Sequence, residues 1–325
     1  MMTISFARIG LIIGIAAGIL QAKTHTVKLH DHYAQVNGIK LHYVSAGKGP
    51  LIIFLHGFPE FWYEWKGQLV DFGRDHLAVA PDMRGYNLSD KPPDVDQYQV
   101  KLLVQDVHAL AEHLAPKKKF VLVAHDWGGA VAWAYAMAHP ETLEKLVIIN
   151  APHPGVFARL LAQDPAQQKA SQYMLMFRSP QAEQILSADN YAALVQAILG
   201  PGLKTGAFTE QDKQEYIKAW SQPRALTGGL NYYRASNVGP PPSPEVPKEG
   251  ANTFGIDPGK LMVNVPTLVI WGEKDSALLT ANLNGLDKFV PQLTIKRIPD
   301  GTHWVIHEKP AEVNADIREF VQPVH

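Results

Sequence analysis

Residues 120–136 constrain this chain more than any other stretch. Phe120-Val121-Leu122-Val123 is a short apolar run of the kind that forms a buried strand, and Gly129-Ala130-Val131-Ala132-Trp133-Ala134-Tyr135-Ala136 reads as an apolar helix. Between them lies Ala124-His125-Asp126-Trp127-Gly128. Small residues two before and two after a central polar one suit a sharp strand-to-helix elbow, because larger Cβ groups collide across the turn. The residue at the tip is an aspartate. A carboxylate of pKa about 3.9 is ionised at neutral pH and needs no base to become a nucleophile. Attack on acyl carbon would give an anhydride, whereas attack on alkyl carbon gives an ordinary ester. The elbow therefore predicts displacement at an alkyl carbon and hydrolysis of an ester on Asp126. Helix capping is the plainer role for such an aspartate, but it leaves the matching pieces elsewhere in the chain without a purpose.

Further apolar strands are predicted at 51–55, 77–80 and 146–149, and a helix at 100–114, where Leu102, Leu103, Val107, Leu110 and Leu114 recur at helical spacing. Residues 27–30 and 36–44 read as strands, with Asn37-Gly38 as a turn signal. Uniformly apolar strands alternating with helices indicate an α/β fold with a mainly parallel sheet covered on both faces. From 155 to about 234 the chain holds helix-like stretches and no convincing strand. The proline-rich run 238–247 that follows fits neither a helix nor a central strand. The sheet resumes at 267–271 and 293–298, and a helix is predicted at about 311–321. The expected organisation is a core over 23–153 and 249–325, with a helical lid and its connector over 154–248. Such a lid covers the C-terminal sheet edge, where open α/β sheets bind ligands.

A chain of 325 residues has room for this core and insertion. Its net charge of −1 gives no electrostatic basis for a nucleic-acid partner. The absence of cysteine excludes disulfides, thiol catalysis and cysteine metal sites. Residues 1–22 carry one charge, Arg8, then an uncharged run over 9–20 and the small Ala22. An apolar run of about 12 residues fits a signal peptide better than a spanning helix, which needs about 20. The expectation is export, with the mature chain starting near Lys23. The alternative is a retained N-terminal anchor, the sole membrane contact the sequence suggests.

Three more segments sit at predicted strand ends. His56-Gly57-Phe58-Pro59 follows 51–55, Gly272-Glu273-Lys274-Asp275 follows 267–271, and Gly301-Thr302-His303-Trp304 follows 293–298. The order nucleophile, acid, histidine is that of the α/β-hydrolases. His303 is the expected general base toward water, and Asp275 the carboxylate that orients it. The N–H groups of Phe58 and Trp127 are the expected oxyanion hole, each donor worth about 2.7–4 kcal/mol. His56, His125 and His153 read as structural, and His307 as a surface residue.

Over roughly 36–321 the chain resembles an α/β-hydrolase-fold epoxide hydrolase. The resemblance is carried by His56-Gly57-Phe58-Pro59-Glu60, His125-Asp126-Trp127-Gly128-Gly129 and Gly301-Thr302-His303-Trp304. It implies a lid with two tyrosines that hold the epoxide oxygen. Tyr173, in Tyr173-Met174-Leu175-Met176-Phe177, and Tyr233, in Asn231-Tyr232-Tyr233-Arg234, match those segments, with Tyr232 the rival for the second. A phenol of pKa about 10 can hydrogen-bond a developing alkoxide and give it a proton. Phe58, Trp127 and Phe177 are expected to line a cavity for a small apolar epoxide, and no cofactor or metal is implied. The loop from Asp82 to Asp90 also resembles the family's, with Arg84 read as a framework ion-pair partner and Asn87 suited to positive φ.

A haloalkane dehalogenase would share Asp126, His303 and Asp275. It would need a second side-chain N–H donor beside Trp127 to hold halide. Phe58 stands where that family often has asparagine, and the tyrosine pair would have no task. A fluoroacetate-type dehalogenase would place arginines by the elbow, where this chain has Trp127 and Val131. An esterase is disfavoured by Asp126 itself. A non-catalytic binder on this fold would be expected to lack the nucleophile or the base, and both are present.

Overall fold

The computed structural model describes residues 27–241 and 254–322. The expected signal peptide or anchor at 1–22, and most of the proline-rich connector, lie outside the described residues. Eight strands form one sheet: β1 (Leu29–Val36), β2 (Ile39–Ala46), β3 (Leu51–Leu55), β4 (Leu77–Pro81), β5 (Phe120–His125), β6 (Leu143–Ile149), β7 (Thr267–Gly272) and β8 (Leu293–Ile298). Their order is β1-β2-β4-β3-β5-β6-β7-β8. β2 pairs antiparallel with β1 and β4, and the remaining pairings are parallel.

Asn37 and Gly38, at φ +44° and +78°, turn the chain between Val36 and its partner Ile39. The first strand runs over 29–36, where the sequence predicts 27–30. Asp31, His32 and Gln35 conceal it, since an edge strand keeps one face in water.

The helices of the first half are α1 (Lys66–Phe72), α2 (Val100–Leu114) and α3 (Asp126–Ala138). Between β6 and β7 follow α4 (Pro154–Gln163), α5 (Pro165–Ala170), α6 (Tyr173–Arg178), α7 (Ala182–Leu194), α8 (Gly200–Thr205), α9 (Glu210–Trp220) and α10 (Ala225–Ser236). The chain closes with α11 (Val305–Glu308) and α12 (Pro310–Val321). The strands sort their side chains with period two. Ile52, Phe54, Val121 and Val123 meet Leu69 and Phe72 of α1 and Val313 and Ile317 of α12. Ile53, Leu55, Leu122 and Ala124 face the opposite layer, with Leu103, Val107 and Leu110 of α2 and Val131 and Trp133 of α3. Fully burying one such side chain is worth about 1.5–3 kcal/mol, so these two faces are the main source of stability.

The helices between β6 and β7 form a cap bound to the core along two lines. On α9, Asp212, Tyr216 and Trp220 recur every four residues on one face. Trp220 Nε1 donates to the Pro59 carbonyl at 2.7 Å and the Tyr216 hydroxyl to Glu60 Oε2 at 2.5 Å. Asp212 accepts from the Tyr63 hydroxyl at 2.8 Å and pairs with Lys66. On α10, a Cβ added to Gly228 would lie 2.2 Å from the Gly85 carbonyl oxygen, so helix backbone rests on loop backbone. There the Tyr232 hydroxyl donates to the Arg84 carbonyl at 2.8 Å. Arg84 itself makes two 2.7 Å bonds to the Asp106 carboxylate, the framework pair expected of it. Asn87 has φ +37°.

Candidate active site

β5 ends at His125 and α3 begins at Asp126, whose φ of +49° lies in the left-handed region. Aspartate tolerates that region better than most residues, at some cost in strain. The turn is tight enough that a Cβ on Gly128 would lie 2.4 Å from the Leu55 carbonyl oxygen. A Cβ on Gly57 would lie 2.5 Å from the Cβ of Asp126. These close approaches are the physical reason for the small residues around the elbow.

The Asp126 carboxylate accepts a 2.8 Å hydrogen bond from the Phe58 N–H through Oδ1, and its Oδ2 lies 3.6 Å from His303 Nε2. Trp127, the next residue, offers an amide of the first helical turn, which has no acceptor within the helix. Burial pushes the Asp126 carboxyl upward, but His303 and the Phe58 N–H together outweigh it and hold the pKa below the usual range. Asp275 Oδ2 lies 2.7 Å from His303 Nδ1. Its other oxygen accepts from the Ala277 and Leu278 N–H groups, each at 2.8 Å. Burial opposes a charge on His303, yet Asp275 and Asp126 together lift its pKa well above the ordinary value.

Asn150, just past β6, is a residue that sequence reasoning missed. Its Nδ2 donates to Asp275 Oδ2 at 2.8 Å and its Oδ1 accepts the Gly272 N–H at 2.8 Å. The one hint was a polar residue ending an apolar strand.

Tyr173 opens α6, and Tyr233 lies on α10, with ring centres 6.5 Å apart. Burial, then the negative charge of Asp126, pushes both phenols well above their usual range. Both line a chamber with Asp126, Trp127, Ala130, Pro152, Phe157, Met174, Val238, Phe254 and Leu278. Its free volume is about 20 Å³, room for about one water. Tyr232 faces away, its hydroxyl spent on Arg84. The rings of Phe58 and Phe177, expected to touch substrate, stand one layer back from the chamber. Each packs on Tyr233, with centres 5.4 and 5.0 Å away. The walls supplied by Phe157, Phe254 and Leu278 carried no sequence signal, because they come from separate segments.

His56 accepts the Met83 N–H through Nε2 at 2.9 Å, and His153 Nε2 lies 3.0 Å from the Leu261 carbonyl. Both are framework residues. The surface expectation for His307 is wrong: α11 turns it inward, where Nε2 lies 3.0 Å from Glu60 Oε1 and the ring packs on Phe208.

Residues 50–310 match the family described as alpha/beta hydrolase fold. The chain is 40% identical over 296 residues to the AB hydrolase superfamily protein YfhM of Bacillus subtilis (strain 168), covering 89% of this chain and 97% of that one. It is 36% identical over 298 residues to epoxide hydrolase 4 of Mus musculus, covering 88% and 77%. Among solved structures, a Bacillus megaterium epoxide hydrolase in complex with an inhibitor superposes with a TM-score of 0.83 at 36% identity, over 89% of this chain and 99% of that one. Potato (Solanum tuberosum) epoxide hydrolase I gives 0.75 at 29% identity, over 91% and 99%. The chain is thus an enzyme of the α/β-hydrolase fold and belongs to the epoxide hydrolase family.

Proposed function

We propose that the protein converts a small apolar epoxide and water to a vicinal diol through an ester on Asp126. An Asp126 oxygen attacks an oxirane carbon, the carbon–oxygen bond of the ring breaks, and the departing oxygen takes a proton from Tyr173 or Tyr233. Water then attacks the ester carbonyl while His303 accepts its proton and Asp275 stabilises the resulting imidazolium. The Phe58 and Trp127 N–H groups hold the oxyanion. On collapse the ester carbon–oxygen bond breaks, and the departing alkoxide takes the proton from the His303 imidazolium to complete the diol. The proton of the Asp126 acid returns to the phenolate, restoring carboxylate and phenol. The observation that carries this reading is that Asp126, Tyr173 and Tyr233 line one chamber, with the carboxylate already bonded to the Phe58 N–H.

Forming the ester also readies the base. Esterified Asp126 carries no charge, so one of the two carboxylates that keep His303 protonated is lost. The imidazole then gives up its proton more readily at the stage where water must be activated.

The test is His303→Gln with styrene oxide, followed by intact mass. The expected result is an adduct one substrate mass heavier that persists; rapid multiple turnover by that variant sinks the two-step scheme. Bromide release from 1-bromobutane faster than epoxide opening would favour the dehalogenase. For residues 1–22 we infer export, from their composition alone. N-terminal sequencing of exported protein should begin within a few residues of Lys23, whereas intact chain in the membrane fraction would establish an anchor.

A further inference from the structure

Behind the chamber lies a second group of buried ionisable side chains, Glu60, Glu64, His125 and His307, which the ester chemistry does not use. Glu60 is committed to His307 and to the Tyr216 hydroxyl. Glu64 is wholly buried and makes two other contacts. Oε2 accepts the Gly57 N–H at 3.2 Å, and Oε1 lies 2.5 Å from His125 Nδ1. On the far side of that ring, Nε2 lies 2.9 Å from the backbone carbonyl oxygen of His303.

The hydrogen-bond pattern fixes one proton and burial the others. A carbonyl oxygen only accepts, so Nε2 of His125 carries hydrogen. Burial, with the nearby His303, holds the His125 pKa down to about 3, so the ring is neutral and its Nδ1 accepts. Glu64 is then the donor, an un-ionised acid, which its burial and the neighbouring Glu60 favour. A neutral chain runs from the Gly57 N–H through Glu64 and His125 to the backbone of His303.

Its two ends are the loop that presents the Phe58 N–H and the loop that presents the base. We infer that Glu64 is a positioning residue for ester hydrolysis, setting the oxyanion loop against the base loop through Gly57 and His125 without touching substrate. This rests on the reading of Asp126 as the ester-forming nucleophile. Ring opening needs that spacing less, because it precedes the work of the base. The Phe58 hydrogen bond also stabilises the free carboxylate and so does not quicken its attack.

The experiment is a single turnover of styrene oxide, quenched and read by intact mass, in wild type, Glu64→Gln, Glu64→Leu and Glu64→Ser. Glutamine can keep both bonds, its amide N–H to Nδ1 and its carbonyl from Gly57. It should hydrolyse the ester within about threefold of wild type, while Leu and Ser should be at least about tenfold slower, a fraction of the loss of a full oxyanion donor. In the Leu and Ser variants ester formation should stay within about threefold, so that ester accumulates. A Gln variant as slow as Leu overturns the inference. So do Leu and Ser variants that slow both half-reactions alike, or neither. If Leu and Ser do not fold, Gln alone decides: near-wild-type hydrolysis supports the inference and a tenfold loss overturns it. No adduct on wild type or on His303→Gln would instead overturn the ester reading, and the inference with it.

Discussion

His303 stands nearer to the carboxylate that orients it than to the one it faces: Nδ1 is 2.7 Å from Asp275, and Nε2 is 3.6 Å from Asp126. The first bond fixes the ring, and the wider gap lies on the side where water would reach the proposed ester. Asp275→Asn offers the base the wrong tautomer while keeping its shape. It should slow ester hydrolysis by about 10⁴-fold, the cost of the same change in a Ser-His-Asp triad. Rapid-quench mass spectrometry should find ester accumulating; an unchanged ester lifetime removes Asp275 from the scheme.

The two half-reactions should respond differently to acid. Asp126 is held below the ordinary carboxylate range, so it stays ionised and able to attack as pH falls. In the proposed scheme His303 acts only when neutral, and in the ester Asp275 still raises it. Acidification should therefore abolish ester hydrolysis before ester formation, and ester should build up at low pH in single-turnover runs. Loss of ester formation first would contradict this order.

Replacing one of Tyr173 and Tyr233 by Phe should slow ring opening by about 10²-fold, and replacing both by up to about 10⁴-fold, the range for proton transfer by a placed group. Hydrolysis of ester already formed should not change. A double variant that retains most of its opening rate excludes both phenols.

Two glycines beside the elbow should fail in different ways. In Gly128→Ala the new Cβ meets fixed backbone at Leu55 and His56, so soluble protein should be lost or its stability cut by about 1–3 kcal/mol or more. In Gly57→Ala the nearest atoms belong to the Asp126 side chain. The Asp126 Cβ rides on the elbow backbone and cannot swing aside as its carboxylate can, so that variant should lose ester formation as well as stability. Thermal melts beside activity check both outcomes.

Asp212 supports the cap. Burial works upward on its carboxyl, but Lys66, Thr209 and Tyr63 hold the pKa well below the usual range. A depressed folded pKa means that this stabilisation is present above about pH 4 and fades as pH falls through the folded value. Asp212 also forms a capping box with Thr209 at the start of α9. Asp212→Ala should cost about 1–2 kcal/mol, mainly that cap and the Tyr63 bond, since Lys66 is partly exposed. Urea melts at pH 7 and pH 3 should show the gap between variant and wild type narrowing in acid.

Asp126, Asp275 and His303 are legible in the residues because each follows a predicted strand, whereas Tyr173 and Tyr233, on cap helices, came from the resemblance. The elbow needs glycine on steric grounds, and a strand of unbroken apolar residues signals a sheet covered on both faces. What stayed hidden was assembled across distance. Glu64 sits in the aromatic run Phe61-Trp62-Tyr63-Glu64-Trp65, and a single acid has no spacing by which to be noticed. Its partner Gly57 lies seven residues back in the same segment after β3, and His125 ends β5, 61 residues on. His307 lies one turn beyond the base on a four-residue helix, too short for periodicity to show which way it faces. β1 was shifted because an edge strand carries water-facing residues that mask alternation.

The chamber's size has a consequence for traffic. A space holding one water cannot admit an oxirane unless part of its wall gives way. Three side chains of α9 are fastened to residues 59–66, and α10 is seated on the loop at Gly85, so those walls are the frame. Met174, Val238 and Leu278, themselves buried, line the chamber beside Asp126 outside those two frames. Smaller side chains at those three positions should widen the chamber without altering Asp126, His303 or Asp275.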